Sequence, residues 1–393
     1  MNRSITNCNL KYNNLVLILG LAGFISAADN WFVSPALAPI ASEFSISVSV
    51  AGIILTSYMI PYGVMQPVYG FFSDKWSKVS VLKIIVGGLA VGTVGSAFAR
   101  GLLLMCLFRV ITGFFAAGII AVSLALIGDI VPTVERQVYV GKFMGIVFLG
   151  QGLSAGLGGL ITKYISWRGA FVFFGVVAAI SDLILIKELS NDLTKTSVNN
   201  KANNFFLKTK IAICTPIGRK IFPLALIAGF LLLGLYSYLG SFLHDLIHLD
   251  YLECGLIIMF YGFACLIGGT KVGKFSRKYG KKNIILLGAG FALITALLLY
   301  FFHYWEVSLI ATIFLGFGYI CIQSTLATMA FDVTPESTGL PSGLIGLGLF
   351  GGGGLGSLFS GWLLSVGGYG SIWIIFAIAL VIFVLIITKL KFN

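Results

Sequence analysis

Charged residues are scarce in this sequence. They make up 10% of its 393 residues, and only 14 of them are acidic. Because an average soluble domain has about 25% charged residues, this chain has too little charge to cover the surface of a soluble globular protein. The scarcity excludes a soluble enzyme, a disordered chain and a nucleic-acid binder. With 58% hydrophobic residues, the composition instead indicates a protein that crosses a lipid bilayer many times.

Cysteine is also rare, and its pattern predicts no metal site. The spacing of the cysteines fits neither a zinc site nor a C-x-x-C motif, and we expect them to be small buried apolar residues. They are Cys8, Cys106, Cys214, Cys254, Cys265 and Cys321. The glycine run 351–354 lacks the GK[ST] sequence that follows it in a phosphate-binding loop. We therefore expect no metal, no cofactor and no ATP-driven step.

Twelve apolar runs are long enough to cross a bilayer as helices, which takes about 20 residues each. The runs are continuous rather than alternating, so they do not indicate an outer-membrane barrel. We number them spans 1 to 12. They cover 14–36, 48–70, 80–99, 102–128, 139–162, 169–187, 221–243, 252–270, 283–302, 306–330, 340–364 and 369–388.

The lysines and arginines orient these spans. Of the 26 basic residues, 22 fall in the termini and loops of one side and three in loops of the other, while Arg109 lies inside span 4. Cytoplasmic loops carry the excess of lysine and arginine in membrane proteins. We therefore expect both termini to be cytoplasmic, in the inner or plasma membrane of a cell.

The longest polar stretch divides the chain into two halves. Residues 188–220 are rich in asparagine and lack apolar periodicity, which predicts a flexible cytoplasmic linker. The predicted organisation is a cytoplasmic tail, a six-helix bundle, the linker, a second six-helix bundle and a second tail. These cover 1–13, 14–187, 188–220, 221–388 and 389–393.

The two halves are related by an internal repeat with a constant offset of 203 residues. Asp129 and Pro132, in DIVP, correspond to Asp332 and Pro335, in DVTP. Further pairs at this offset are Gly70 with Gly273, Lys75 with Lys278, Lys78 with Lys281, Gly113 with Gly316, Gly145 with Gly348, Gly150 with Gly353 and Gly158 with Gly361. Such a parallel repeat predicts two similar bundles related by an axis along the membrane normal.

Several motifs resemble those of the major facilitator superfamily, and in particular its twelve-helix drug:proton antiporters. GFFSDKWSKV after span 2 is similar to G-x-x-x-D-R-x-G-R-R, although Ser77 and Val79 replace its second glycine and last basic residue. FRVITGFFAAG in span 4 is similar to R-x-x-x-G. Span 5 is similar to the antiporter glycine motif, with Ser154 and Ala155 in place of Gly-Pro.

The resemblance implies an all-α membrane protein of twelve transmembrane helices in two pseudo-symmetric six-helix bundles around a central cavity. Charges inside a membrane are costly, so each needs a reason. We interpret Asp29 and Arg109 as proton-coupling residues, because helices 1 and 4 line the cavity in this family. The alternative for each is a purely structural hydrogen bond. For Asp182, in span 6, we favour snorkelling or pairing near the interface.

Three further groups of residues have expected roles. The resemblance implies a cytoplasmic gate at Gly70, Asp74, Lys75, Lys78 and Asp129. Candidates for lining the substrate cavity, each of which can equally be ordinary packing, are Tyr58, Tyr62, Gln66, Tyr236, Tyr238 and Gln323. Small residues that permit close helix packing are Gly150, Ser154, Gly158 and Gly159.

The expected function is secondary active transport, with export of a small amphipathic compound in exchange for protons. We expect the protein to act as a monomer, with a small-molecule substrate, protons and the lipid bilayer as its partners and no nucleic acid. A sugar or metabolite transporter on the same fold is the first alternative. A transporter-like receptor that moves no solute is the second, and the intramembrane charges argue against it.

Overall fold

The computed structural model describes residues 2–72, 77–189, 205–333 and 339–390. Within these ranges it contains α-helices, one π-helical turn at Leu347–Gly351 and no strand. The helices are α1 (Asn2–Trp31), α2 (Val33–Glu43), α3 (Val48–Ala51), α4 (Ile53–Phe72), α5 (Lys78–Ala97), α6 (Leu102–Ala116), α7 (Ile119–Ile130), α8 (Thr133–Tyr164), α9 (Trp167–Glu188), α10 (Phe205–Cys214), α11 (Gly218–Ser237), α12 (Leu239–Asp245), α13 (Tyr251–Tyr279), α14 (Lys281–Phe301), α15 (Trp305–Ala330), α16 (Gly339–Gly346) and α17 (Gly352–Lys389).

These helices correspond to the predicted spans. Within the described residues, eleven segments are long and apolar enough to cross a membrane. The last of them, Gly339–Lys389, contains both span 11 and span 12. The two spans are separated by a non-helical residue, Gly368. Gly368 has φ of 69°, a left-handed conformation that glycine adopts without steric cost. The expected all-α membrane architecture is confirmed.

Span 1 is broken where the sequence requires it. α1 ends at Trp31 and α2 begins at Val33. The carbonyl of Trp31 would normally accept a hydrogen bond from the N–H of residue 35. That residue is Pro35, which has no N–H. The break therefore leaves a backbone acceptor free in the middle of the bundle. Spans 4 and 7 are also each divided, at Ala117–Gly118 and at Tyr238.

Two regions predicted as linker or loop are helical. The predicted flexible linker 188–220 contains α10, whose sequence FFLKTKIAIC is largely apolar, and the first turn of α11. Residues 190–204 lie outside the described part of the chain. The prediction of a loop directly after span 8 is also wrong in part, because α13 continues through Gly273 to Tyr279. It ends at Gly280, whose φ of 86° stops a helix.

The internal repeat has a direct structural counterpart. A Cβ at Gly113 would overlap the carbonyl oxygen of Tyr58, and a Cβ at Gly316 would overlap that of Tyr261. These two pairs are separated by the same 203 residues. Lys78 pairs with Asp129 at 2.9 Å, and Lys281 pairs with Asp332 at 2.7 Å, again at this offset. The two halves therefore repeat backbone packing and surface ion pairs alike.

The halves meet along several pairs of helices, and at one of them glycines face each other. α8 packs against α13, with Gly152 against Gly262 and Gly159 against Gly255. α4 packs against α16 and the π-helical turn, and α2 packs against α12. In a membrane, helices associate through close van der Waals contact rather than hydrophobic burial, so glycine at these positions brings the backbones together.

Candidate functional site

The centre of the N-terminal half holds a buried ion pair. Asp29 lies in α1 and Arg109 in α6, and both side chains are fully buried. Arg109 Nη1 donates to Asp29 Oδ2 at 2.5 Å, and Arg109 Nη2 donates to the backbone carbonyl of Asp29 at 3.4 Å. Since removing either partner would leave a buried, uncompensated charge, the two residues depend on one another. The structure thus brings together the two predicted proton-coupling residues.

Thr93 of α5 completes this site and allows both protonation states of Asp29. Its hydroxyl lies 2.6 Å from Asp29 Oδ1 and 2.8 Å from the carbonyl of Leu89. One hydroxyl proton can be donated to only one of these acceptors at a time. Thr93 can donate to an ionised Asp29. When Asp29 is protonated, the carboxylic acid can donate to Thr93, which then donates to Leu89.

An aromatic ring covers the arginine. The guanidinium carbon of Arg109 lies 4.4 Å from the centre of the Tyr58 ring, a cation–π geometry. Arg109 Nε is buried and has no partner among the described residues. The Nε–H of Arg109 is therefore a donor that could bind a further acceptor.

Four aromatic side chains meet where the two halves join, and we call them the aromatic cluster: Trp31, Tyr236, Tyr261 and Tyr319. Trp31 comes from α1 and the tyrosines come from α11, α13 and α15. The indole of Trp31 stacks on Tyr261 with ring centres 4.7 Å apart and meets Tyr236 edge-on at 4.4 Å. All four side chains are buried. In this conformation the predicted central cavity is filled at this level by the protein's own rings.

The free backbone acceptor in span 1 fixes this arrangement. The hydroxyl of Tyr236 donates to the carbonyl of Trp31 at 2.9 Å. That is the carbonyl that Pro35 leaves without a helical partner. Ser34 also crosses to the other half, where its hydroxyl lies 3.2 Å from the carbonyl of Tyr236. Because Pro35 has no N–H, the carbonyl of Trp31 is available to the Tyr236 hydroxyl of the other half.

The predicted cavity residues do not all lie together. Tyr236 belongs to the aromatic cluster, and Gln323 lies one helical turn after Tyr319. Tyr58 and Tyr62 stack on each other in α4, and Tyr62 also meets Phe350. Gln66 packs against Gly346.

Tyr238 lies elsewhere, with its hydroxyl donating to the carbonyl of Ser49 at 3.2 Å. Trp31, Tyr261 and Tyr319 were not among the predicted cavity residues. The offset that relates Tyr58 to Tyr261 was the available signal for one of them.

Of the predicted gate residues that the structure describes, Gly70 contacts the other half, and Lys78 and Asp129 contact each other. Gly70 of α4 approaches Gly339 of α16 so closely that a Cβ at Gly70 would lie 2.5 Å from the carbonyl oxygen of Gly339. This contact joins the two halves. Lys78 does pair with Asp129, but both residues belong to the N-terminal half, so this pair is not a latch between halves. Asp74 and Lys75 lie outside the described residues.

The small residues of span 5 contact two different helices. Gly150 and Gly158 pack against Phe24 and Phe32 of span 1, within the N-terminal half. Gly159 packs against Tyr251 and Gly255 of α13, in the other half. Ser154 is buried, and its hydroxyl donates to the carbonyl of Gln151. The sequence predicted small-residue packing here, but not the division between the two partners.

We call the side carrying Lys78, Lys142 and Lys281 the basic face, and the side carrying Glu43, Lys163 and Asp250 the opposite face. On the opposite face, Lys163 Nζ pairs with Asp250 Oδ2 at 2.6 Å and joins the two halves. Glu43 pairs with Arg168 at 2.5 Å and also accepts from the indole N–H of Trp167. In the sequence these residues indicated only on which side of the membrane their loops lie, and the pairs between them were not predicted.

Asp182 is separate from the central site. It lies in α9, at the edge of the N-terminal half, beside Gly87 of α5. One of its carboxylate oxygens, Oδ1, is buried without a hydrogen-bond partner among the described residues. Asp182 therefore provides a second intramembrane acid that has no contact with Arg109.

Comparison with known proteins shows the family to which the chain belongs. The family model described as Major Facilitator Superfamily matches residues 19–355. The chain belongs to the major facilitator superfamily. It is therefore a multi-pass membrane protein from a family of transporters rather than of enzymes.

The curated relatives are distant. Citrate exporter 1 of Aspergillus niger is 27% identical over 292 residues, which cover 66% of this chain and 56% of that protein. The MFS antiporter QDR2 of Candida albicans is 24% identical over 300 residues, which cover 67% of this chain and 59% of that protein. This superfamily member thus spans less than two thirds of the length of these relatives.

The solved structures share the fold. The nucleoside transporter NupG aligns with a TM-score of 0.78 at 16% identity, over 96% of this chain and all of that one. A bacterial homologue of the human lysosomal transporter Spinster aligns with a TM-score of 0.70 at 18% identity, over 96% and 95% of the two chains. At these identities the likeness concerns the fold alone.

Proposed function

We propose that this superfamily member is a secondary active transporter that exports a small amphipathic compound in exchange for protons. The observation that carries the proposal is the buried Asp29–Arg109 pair with Thr93 beside it. A fully buried charge pair is costly, and a protein that moved no solute would have little need of it. The similarity to an antiporter and to an exporter supports the same assignment.

In the proposed mechanism Asp29 carries the proton. When Asp29 is ionised, Arg109 and Thr93 both donate to its carboxylate. Protonation removes the charge that holds Arg109, while the acid keeps a hydrogen bond to Thr93. The freed guanidinium can then bind another acceptor, so that protonation and substrate binding act on the same group. This is an exchange of partners that needs no large movement at the site itself.

The contacts between the halves supply the two gates of alternating access. On the basic face, α4 and α16 meet at Gly70 and Gly339. On the opposite face, Lys163 and Asp250 hold the halves together. We propose that these contacts break in turn as the halves, 14–187 and 221–388, rock about the central site. The basic face is assigned to the cytoplasm of a cell membrane by its excess of lysine and arginine.

A single chain contains both halves, so we propose that the monomer is functional. A sugar or metabolite transporter remains the alternative, and the similarity to a citrate exporter favours it. The two candidates share the mechanism and differ only in the substrate.

Reconstitution into proteoliposomes with an imposed pH gradient tests this function. We expect the gradient to drive accumulation or expulsion of a member of a panel of lipophilic cations, neutral drugs, sugars and organic acids. Asp29→Asn should abolish the gradient-driven component, because it keeps size and hydrogen bonding but removes the titratable group. Asp182→Asn is the matched control, since it removes the other intramembrane acid, and it should retain transport.

Two results would contradict the proposal. Full gradient-driven transport by Asp29→Asn would show that Asp29 is not the proton carrier. Transport that is indifferent to the gradient in the unmodified protein would remove proton coupling altogether. Sugars or organic acids as the only transported solutes would select the metabolite alternative.

A further inference from the structure

The aromatic cluster contains polar groups that the protein leaves without partners. Both amide atoms of Asn30 are buried, as are the hydroxyl of Tyr261 and Oε1 of Gln323. None of these atoms has a hydrogen-bond partner among the described residues, although the weakly polar thiol of Cys265 lies beside Tyr261. A buried polar atom without a partner destabilises the folded protein, so several of them require an explanation.

These groups belong to residues of the aromatic cluster or to their neighbours along the same helices. Asn30 precedes Trp31 in α1, Tyr261 stacks on Trp31, and Gln323 follows Tyr319 by one turn of α15. Asn30 is 1% exposed and Tyr261 is 1% exposed. The Tyr261 hydroxyl is thus part of the ring stack at the junction between the halves, and Asn30 and Gln323 flank members of the stack along α1 and α15.

The surroundings carry no uncompensated charge. Spans 7 and 11 contain no Asp, Glu, Lys or Arg, and spans 8 and 10 contain only Glu253 and Glu306, each at the end nearest the opposite face. In span 1 the charge of Asp29 is balanced by Arg109. A charged ligand would lose its hydration here without an ionic partner, at a cost of several kcal/mol. A cation–π contact returns only part of that cost, so we infer that the site favours an uncharged ligand.

We propose that the three tyrosines of the C-terminal half bind a neutral, planar aromatic compound with a polar edge. The indole of Trp31 occupies the place of its ring when the site is empty. The ligand would stack on Tyr261 between Tyr236 and Tyr319, and its edge would bond to Asn30, Gln323 and the Tyr261 hydroxyl. This inference rests on the proposed transport function and names its class of substrate.

Trp31 is suited to such an exchange. It is the one member of the aromatic cluster from the N-terminal half, so it moves with that half when the two halves separate. Its indole contacts all three tyrosines, at 4.4, 4.7 and 6.0 Å between ring centres. In the empty state the indole of Trp31 stacks on Tyr261, and in the bound state the ligand ring would do so instead. The stacking energy of Tyr261 is therefore similar in the two states.

Equilibrium binding to the purified full chain in detergent tests the proposal without any proton gradient. Acridone, a neutral planar ring with a carbonyl and an N–H, is the probe, and its fluorescence anisotropy reports binding. The 10-methylacridinium ion has nearly the same shape and a positive charge. We expect acridone to bind at least about tenfold more tightly than 10-methylacridinium.

Variants identify the site. Tyr261→Leu should weaken acridone binding about tenfold, because it removes the stacking ring, and Tyr261→Phe should weaken it less because only the hydroxyl is lost. Trp31→Ala should tighten binding by removing the competing indole. Tyr304→Leu is the matched control, because Tyr304 is exposed on the opposite face, and it should bind acridone unchanged. Gel filtration establishes that each variant is folded.

The outcomes separate this proposal from the transport function. No acridone binding up to its solubility limit, equal or tighter binding of 10-methylacridinium, or unaltered binding by folded Tyr261→Leu would each overturn the proposed site. Weaker binding by Trp31→Ala would overturn the exchange with the indole. Gradient-driven transport of another solute could persist in all these cases. Conversely, if the protein binds acridone but shows no gradient-driven transport of any solute, the proposed binding site stands and proton-coupled export is refuted.

Discussion

Lys163, near the end of α8, and Asp250, the residue before α13, form an ion pair of 2.6 Å that joins the two six-helix halves on the opposite face. Asp250 has two roles. Its Oδ2 accepts from Lys163, while its Oδ1 accepts from the backbone N–H of Glu253 and caps α13. The side chain of Glu253 accepts from the backbone N–H of Asp250 in return, which completes a capping box.

The two roles of Asp250 can be separated by substitution. Asparagine is as good an N-cap as aspartate, so Asp250→Asn should preserve α13 and remove the ion pair. A partly exposed pair contributes about 0–1 kcal/mol, and we therefore expect little change in thermal stability. Even 1 kcal/mol changes a two-state ratio about fivefold, so conformations open on the opposite face should gain population.

Distance measurements between spin labels at Tyr164 and Leu246 can check this shift, since both side chains are exposed. Lys163→Gln breaks the same pair from the other side and should produce the same shift. Identical distance distributions in all three proteins would show that the pair does not bias the equilibrium.

The pH dependence of this contact follows from the environment of Asp250. Partial burial raises its pKa, but the hydrogen bonds from Lys163 and from the backbone N–H of Glu253 outweigh that effect and lower the pKa below the ordinary value. A lowered pKa in the folded state means that the contribution to stability is present above the ordinary value of about 3.9 and is lost as the pH falls through the lowered value. The label distances should therefore be constant from pH 8 to pH 5. A transition within that range would assign the pH response to another group.

The Asp29–Arg109 pair should behave as one unit in stability measurements. Asp29→Asn and Arg109→Gln each leave one buried charge without its partner, at a cost of about 3–5 kcal/mol. The double variant buries no charge and should recover most of the thermal stability in detergent while remaining inactive in transport. Additive losses in the double variant would mean that the two residues stabilise the protein independently.

The shape of Arg109 should matter as much as its charge. It donates to the side chain and to the backbone of Asp29 while its planar guanidinium lies over Tyr58. A lysine cannot reproduce this fork or the flat stacking surface. We expect Arg109→Lys to reduce the initial rate of gradient-driven transport about tenfold or more, which corresponds to about 1.4 kcal/mol. A normal rate would show that a point charge is sufficient.

The contact between Gly70 and Gly339 provides a matched pair of variants. A Cβ at Gly70 would lie 2.5 Å from the carbonyl oxygen of Gly339, so Gly70→Ala must push α4 and α16 apart on the basic face. Gly273, which corresponds to Gly70 in the repeat, has nothing among the described residues within 4 Å of such a Cβ. We expect Gly70→Ala to shift the population towards states open on the basic face and Gly273→Ala to leave it unchanged.

Spin labels at Val64 and Ser342, on α4 and α16, can measure this opening. A longer mean distance in Gly70→Ala, but not in Gly273→Ala, is the expected result. Equal distances in both variants would show that the glycine contact does not hold the basic face closed. The predicted gating role of Asp74 and Lys75, which lie outside the described residues, stays a prediction.

The sequence by itself determined the class of protein and the order of its helices. Low charge and twelve long apolar runs leave helices as the structures that can satisfy their backbone hydrogen bonds in a bilayer. The repeat offset of 203 residues also matched Lys78 with Lys281 and Asp129 with Asp332, and the structure pairs each of these lysines with the aspartate of its own half. The cost of intramembrane charge marked Asp29 and Arg109 before their contact was known.

Only the tertiary structure decided which side chains meet. Trp31 lies 205 residues from Tyr236, and Lys163 lies 87 residues from Asp250, yet both pairs are in contact. Such contacts depend on how each helix is rotated and how deep it lies, and a run of apolar residues specifies neither. The same reason explains why Tyr238 was grouped with Tyr236: Tyr236 is the residue that joins Trp31, whereas Tyr238, at the break between α11 and α12, packs against the helices near Ser49.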